Sequence, residues 1–188
     1  MSVAEYLVRE RAAKQKHVLW NGEVFAMAGA SRVHNLLVAA LLGELRTALR
    51  GTPCQPYASD QRFRFPDTRR YVYPDASVTC PPVEVDPLDV DTVCNPRVVF
   101  EVLSTSTEAF DRGEKFAGYR SVPSLEAYVL VAQKEPLVEH YARQRDGSWV
   151  LRTFGPAERL TLAALAVELS VDTIYEGIAL GENDARDP

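Results

Sequence analysis

The 188-residue chain reads as an α/β (α+β) protein, and three observations lead there. The stretch "SRVHNLLVAALLGELRTALRG" (31–51) puts Leu36, Leu37, Ala40, Leu41, Leu45 and Leu49 at helical spacing. Ser31 can cap it and Gly51 can end it. Runs such as "VYPDASV", "RVVFEVLS" and "EAYVLVA" have the length and β-branched content of strands. Asn21-Gly22 and Asp146-Gly147 sit between apolar runs, where such pairs make hairpin turns.

The remaining elements follow in order. Residues 2–16 read as a short helix, with Ser2 and Glu5 as a capping pair. "HVLWNGEVFAMAG" (17–29) is a hairpin, and 31–51 the long helix. Residues 55–65 end in "RFRF", whose alternation predicts a half-solvated strand. Strands are expected over 71–80 and 97–104, joined by "PPVEVDPLDVDTVCNP", which its Pro and Asp content marks as a mobile acidic loop. "DRGEKFAGYRSVP" (111–123) reads as a helix capped by Asp111 with Glu114 and stopped by Pro123. "EAYVLVA" (126–132) is a buried strand, "VEHYAR" and "SWVLRTF" a hairpin, and "LTLAALAVELSVDTIYEGI" a set of short apolar elements. One domain is expected over 1–180, with a disordered polar tail over 181–188.

Composition narrows the function classes. No run of 18 apolar residues exists, so no transmembrane helix is expected, and the mixed charges of "MSVAEYLVRERAAKQK" do not read as a secretory signal. Cys54, Cys80 and Cys94 are an odd count without CxxC spacing. That predicts a cytoplasmic protein with no zinc site, and Cys80 as a small buried hydrophobe. A net charge of −5 argues against coating nucleic acid through global charge but allows a local basic groove.

The chemistry starts at Pro74-Asp75, an unusual pair inside a strand, because Pro lacks the N–H that a ladder needs. If 71–80 and 97–104 are antiparallel neighbours with residue 80 near 97, Asp75 lies across from Glu101 or Val102. Ala76, Val78 and Cys80 form an apolar side, and Tyr73, Asp75, Ser77 and Thr79 a polar one. Glu101 has apolar neighbours on both sides, where an acid is costly without compensation. Two facing carboxylates stay ionised together when a cation sits between them, and a hard divalent ion such as Mg²⁺ suits oxygen ligands. The plainer alternatives are a turn or bulge at Pro74-Asp75 and a Glu101 paired with Arg or Lys.

Nearly the whole chain resembles the Uma-two family of "putative restriction endonucleases", within the PD-(D/E)xK nuclease superfamily. The residues that carry it are "VAEYLVRERAAKQKHVLWNGEVFAMAGASRVHN", "YVYPDASV", "NPRVVFEVLSTSTEAFDRGEKFAGYRSVPSLEAYVLV" and "IYEG". The resemblance implies a restriction-endonuclease-like core: a small mixed β-sheet flanked by helices, with a metal site at one end. It implies Asp75 and Glu101 as ligands of Mg²⁺ or Mn²⁺, the Val102 carbonyl as a third ligand, and hydrolysis of phosphodiester bonds in DNA. The superfamily lysine belongs two residues after the Glu, where this chain has Leu103; Lys115 on the following helix is the match. Lys115 would orient water or stabilise developing charge, and Arg112 would contact a phosphate. His34 matches a histidine at the start of the long helix and is either a site residue or a half-buried helix residue. Glu23 could add a carboxylate or be merely solvated. Ser104 and Ser106 read as turn and capping groups rather than nucleophiles.

Arg62, Arg64, Arg69 and Arg70, with Arg112 and Arg120 nearer the acids, are the candidate phosphate contacts. A homodimer is expected, with the apolar C-terminal segment as its interface. The competing class is a non-catalytic binding or assembly module on the same fold, since a fold alone does not establish chemistry.

Overall fold

A computed structural model describes residues 1–67 and 69–181. The tail expected beyond Gly181 lies outside the described residues. The chain order is α1 (Val3–Ala12), β1 (His17–Trp20), β2 (Glu23–Ala26), α2 (Arg32–Ala48), β3 (Gln55–Ala58), β4 (Arg62–Arg64), β5 (Tyr71–Val72), β6 (Ala76–Thr79), β7 (Val85–Asp86), β8 (Asp89–Val93) and β9 (Val98–Val102). A helical stretch over 108–119 follows, built from α3 (Glu108–Phe110), a π-helical turn (Asp111–Lys115) and α4 (Phe116–Tyr119). Then come β10 (Ala127–Val131), β11 (Val138–Arg143), β12 (Trp149–Phe154), β13 (Arg159–Leu162), β14 (Val167–Ser170) and α5 (Val171–Tyr175).

The α+β class and the mixed sheet between helices stand, with the strands divided among three sheets. Sheet A runs β2-β1-β5-β4-β8-β7, sheet B runs β12-β11-β10-β9-β6-β3, and β13 pairs with β14 alone. Sheet B is mixed: β9 and β10 are parallel, and its other pairs are antiparallel.

Local chemistry explains the elements that position the site. Ser2 and Glu5 form the capping box of α1. Asn21 and Gly22 both have positive φ (53° and 90°), as a tight β1–β2 turn requires. The Ser31 side chain accepts the His34 N–H at the start of α2. Leu37, Leu41 and Leu45 stack every four residues into the core, while Leu36, in the predicted stripe, faces outward.

Three apolar layers result. Tyr6 and Leu7 of α1 pack on Leu19 and Tyr71 of sheet A. Phe63, Phe65 and Val72 from sheet A meet Val99, Tyr128 and Leu130 of sheet B, with Tyr119 among them. On the other face of sheet B, Ala76, Val78, Val98 and Phe100 meet α2 and the C-terminal Leu160, Leu169 and Ile174. The C-terminal apolar residues are therefore buried in the chain's own core, which removes the basis for expecting an interface there.

Several expectations are corrected. The run 71–80 is two strands in different sheets: β5 belongs to sheet A, β6 to sheet B, and Tyr73-Pro74-Asp75 crosses between them. The run 55–65 divides in the same way into β3 and β4, and Arg62 is buried rather than half-solvated. The face of β6 expected to be polar is also buried, with Ser77 and Thr79 inside. The segment 81–96 holds the hairpin β7–β8, which adds two strands to sheet A. Its Asp86 and Asp89 are buried against Arg64 (3.5 Å) and Arg62, and opposite charges inside the protein replace the solvation that a loop would have offered. Asp111 is not a cap: helix begins three residues earlier. Cys54 and Cys80 are joined in a disulfide with Cα atoms 4.1 Å apart, so Cys80 is not a free thiol; Cys94 is.

His140 on β11 is 6 % exposed, and burial with Arg152 nearby lowers its pKa to about 4. Between pH 6.5 and 4 the unfolded chain therefore binds a proton that the native state refuses, and stability must fall as pH falls through that window. His140→Leu should flatten the fall, by an amount on the order of a few kcal/mol. Urea denaturation at pH 7.5, 6, 5 and 4 measures this, and an unchanged slope in the variant would refute it.

Candidate active site

The register of β6 on β9 sets the geometry. Ala76 faces Phe100 and Val78 faces Val98, so one step further brings Asp75 opposite Glu101. Pro74, with no N–H to give, ends the ladder at this point. The freed edge is used by side chains. The Val102 N–H donates to Asp75 Oδ2 at 2.7 Å, and the Asp75 N–H reaches Glu101 Oε2 at 3.4 Å.

Three further groups converge on the pair. Lys115 Nζ lies 2.8 Å from Glu101 Oε1 and 3.0 Å from Asp111 Oδ1. Tyr119 donates its hydroxyl to Glu101 Oε1 at 3.2 Å. From the other side of the sheet's end, His34 Nε2 lies 3.1 Å from Asp75 Oδ2. Asp111, Lys115 and Tyr119 recur every four residues, so the helical stretch presents one polar stripe to Glu101. The π-helical turn, a widened geometry often found where side chains are aimed at a site, carries the first two of them.

The electrostatics follow from burial. Burial raises the Glu101 pKa to about 8; Asp111 and Asp75 add to the rise, and Lys115 opposes it. Burial also acts to raise Asp75, but the His34 hydrogen bond and charge, Lys115 and the Val102 amide outweigh it and hold that carboxyl below its usual value. Burial acts to lower Lys115, but Glu101, Asp111 and Asp75 outweigh it and tighten its hold on the proton. Three carboxyl groups thus share one lysine, and the strain of that imbalance falls on Glu101.

The other sequence-derived residues lie differently. Glu23 is exposed on β2, the edge strand of sheet A, and is not brought to the acids. Arg112 is engaged by Glu108 (3.0 Å) and Glu139, so its guanidinium is already paired. Arg62 and Arg64 are paired with Asp89 and Asp86, and Arg70 with Asp67 while lying over Trp20 and Phe65. The expected arginine cluster is therefore largely internal; Arg69 and Arg120 remain exposed. Ser104 and Ser106 hydrogen-bond each other, and Ser104 also bonds Thr107, a turn before the helix. Sequence reasoning missed Tyr119 and the interior role of Asp111. The four-residue recurrence of polar groups along a stretch otherwise packed in aromatic core was the available signal.

No group of three or more His, Cys, Asp or Glu side chains arranged to hold a metal is found among the described residues. The donor set that fits a hard cation is smaller. It comprises the Asp75 and Glu101 carboxylates and the Val102 carbonyl, which a strand turns to the same edge as its N–H. Mg²⁺ needs no more protein than one or two carboxylates, keeping waters for its other positions. A dication there would also correct the excess of acid over lysine.

Removing the lysine tests that balance. Lys115→Met leaves Glu101 and Asp111 buried without their cation and should cost about 3–5 kcal/mol at pH 8. The cost should be smaller at pH 5, where a protonated Glu101 needs no partner. Adding Glu101→Gln should restore more than half of the loss in urea denaturation; strictly additive losses would contradict the coupling.

Comparison with known proteins gives the chain relatives along nearly its full length. Residues 3–173 match the Uma2 family model, described as "putative restriction endonuclease". The uncharacterized protein slr1290 of Synechocystis sp. is 35% identical over 179 residues, covering 95% of this chain and 93% of that protein. A second Synechocystis protein, sll1609, is 36% identical over 151 residues, covering 80% of this chain and 85% of its own. Among solved structures, a "putative nuclease belonging to DUF820" from Anabaena variabilis shares the fold with a TM-score of 0.75 at 13% identity, covering 93% of this chain and 97% of that one.

Proposed function

The chain belongs to the Uma2 family of "putative restriction endonucleases", and from that premise we propose that it is a metal-dependent nuclease that hydrolyses phosphodiester bonds in DNA. The observation that carries the reading is the meeting of Asp75 and Glu101 at the end of sheet B with the Lys115 ammonium on Glu101. Residues 1–180 act in it as one restriction-endonuclease-like domain.

Asp75, Glu101 and the Val102 carbonyl are the groups that would hold Mg²⁺ or Mn²⁺. When bound, such an ion polarises a phosphodiester oxygen and acidifies a water molecule. The chain's own part is positional and electrostatic. His34 and the Val102 N–H hold Asp75 Oδ2 in place. Asp111 holds Lys115 from below; swinging from Glu101 towards the scissile phosphate, the ammonium would orient the attacking water or stabilise negative charge as it develops. Of the expected arginine cluster, Arg69 and Arg120 are the exposed members and would make phosphate contacts, which position a duplex without reading its sequence. Arg112 joins them only by giving up a carboxylate.

No helix among the described residues is long and apolar enough to cross a membrane. A cytoplasmic location, where DNA is accessible, belongs to the same proposal, although the Cys54–Cys80 bond weighs against a strongly reducing compartment. A homodimer also belongs to it, as the simplest way to cut both strands, through a surface other than the buried C-terminal segment.

One observation favours a different class. Lys115 and His34 already sit on the two acids, and most of the arginine cluster is paired internally. A non-catalytic binding or assembly module would look like this too.

Cleavage of supercoiled plasmid in Mg²⁺ or Mn²⁺ separates the two. Asp75→Ala and Glu101→Ala should each abolish it, and Lys115→Ala should slow it by about 10²–10³-fold. Cleavage that survives both acid substitutions rules the nuclease site out. A wild type that neither cuts nor binds Mn²⁺ in calorimetry leaves the binding module standing.

A further inference from the structure

We propose that Tyr119 is a positioning residue whose hydroxyl fixes the orientation of the Glu101 carboxylate and thereby sets its affinity for a divalent cation. The inference deepens the nuclease reading and rests on it.

Glu101 carries its hydrogen-bond donors unevenly. Oε1 takes both Lys115 Nζ, at 2.8 Å, and the Tyr119 hydroxyl, at 3.2 Å. Oε2 is left toward Asp75, with the Asp75 N–H at 3.4 Å. The oxygen that faces the second acid is thus the less committed one, as a shared cation requires.

The lysine alone does not fix this arrangement. Its ammonium ends a flexible four-carbon stem and is shared with Asp111, so it can follow the carboxylate through several rotations. The phenol cannot. Its ring is fully buried, with centroids 4.9 Å from Phe65, 5.2 Å from Tyr128 and 5.9 Å from Phe63. Gly118 lets the helix bring the ring that deep: a Cβ there would lie 3.1 Å from Phe65 and 3.2 Å from Trp20. The hydroxyl is therefore delivered from a packed aromatic block to one carboxylate oxygen. Partners that orient ligand groups in this way commonly alter metal affinity 10–100-fold when removed.

Tyr119→Phe keeps the ring and removes only the oxygen. Mn²⁺ titration by calorimetry should give a dissociation constant raised by about 10–100-fold, with the metal-free variant unfolding within a few degrees of the wild type. Tyr128→Phe is the control: its hydroxyl donates to the Asp111 carbonyl rather than to Glu101, and its loss should leave Mn²⁺ affinity within about twofold. Equal Mn²⁺ affinity in wild type and Tyr119→Phe overturns the inference while leaving the nuclease reading intact. Equal losses in the two Phe variants also overturn it, because they would mark a general loosening of the core. A wild type that binds no Mn²⁺ overturns both proposals together.

Discussion

The carboxyl group of Glu101 in the middle of a fully buried strand is the constraint around which this molecule is arranged. Every other member of β9 is apolar and inside. An acid there forces its surroundings to supply a cation and hydrogen-bond donors. Lys115 and Tyr119, both from the helical stretch over 108–119, and the end of β6 are those surroundings. The helical stretch that brings Lys115 also brings Asp111, so the compensation is itself incomplete. That surplus of negative charge is a cost to the metal-free fold. It is the feature on which the proposed cation site rests.

Much of this was legible in the chain, because it depended on local rules. The Asp75–Glu101 neighbourhood follows from strand alternation and from pairing 71–80 with 97–104 antiparallel; the register fell within one residue of the expected one, although β7 and β8 intervene in the chain. The capped helices and the Asn-Gly turn follow from residue chemistry alone. What could not be read depended on partners far along the chain. Asp86 and Asp89 look like loop acids until Arg64 and Arg62 are set beside them, and those arginines look like a phosphate-binding stripe until they meet the same two acids. The charges cancel across more than twenty residues, and neither half of such a pair announces the other.

The same blindness explains the two divided strands. Both 55–65 and 71–80 have continuous strand-like composition, yet each leaves one sheet and enters the other. Composition reports that a residue fits a pleated, half-buried surface, not which surface. Only Pro74 and Asp75 mark the second crossing, and a residue without an N–H signals an interrupted ladder but not a change of sheet. Tyr119 was hidden differently, as one aromatic among many in a helix that packs on aromatics.

The crossing at Tyr73-Pro74-Asp75 has a consequence for how the protein behaves as a machine. One acid of the pair hangs from the bridge between two sheets, while the other sits near the end of an interior strand of one of them. Their separation is set by the register of β6 on β9 inside sheet B, while the chain on the other side of Asp75 is held in sheet A. Strain between the two sheets would therefore reach one acid through the single Tyr73-Pro74 link, while the other stays held inside its own strand ladder.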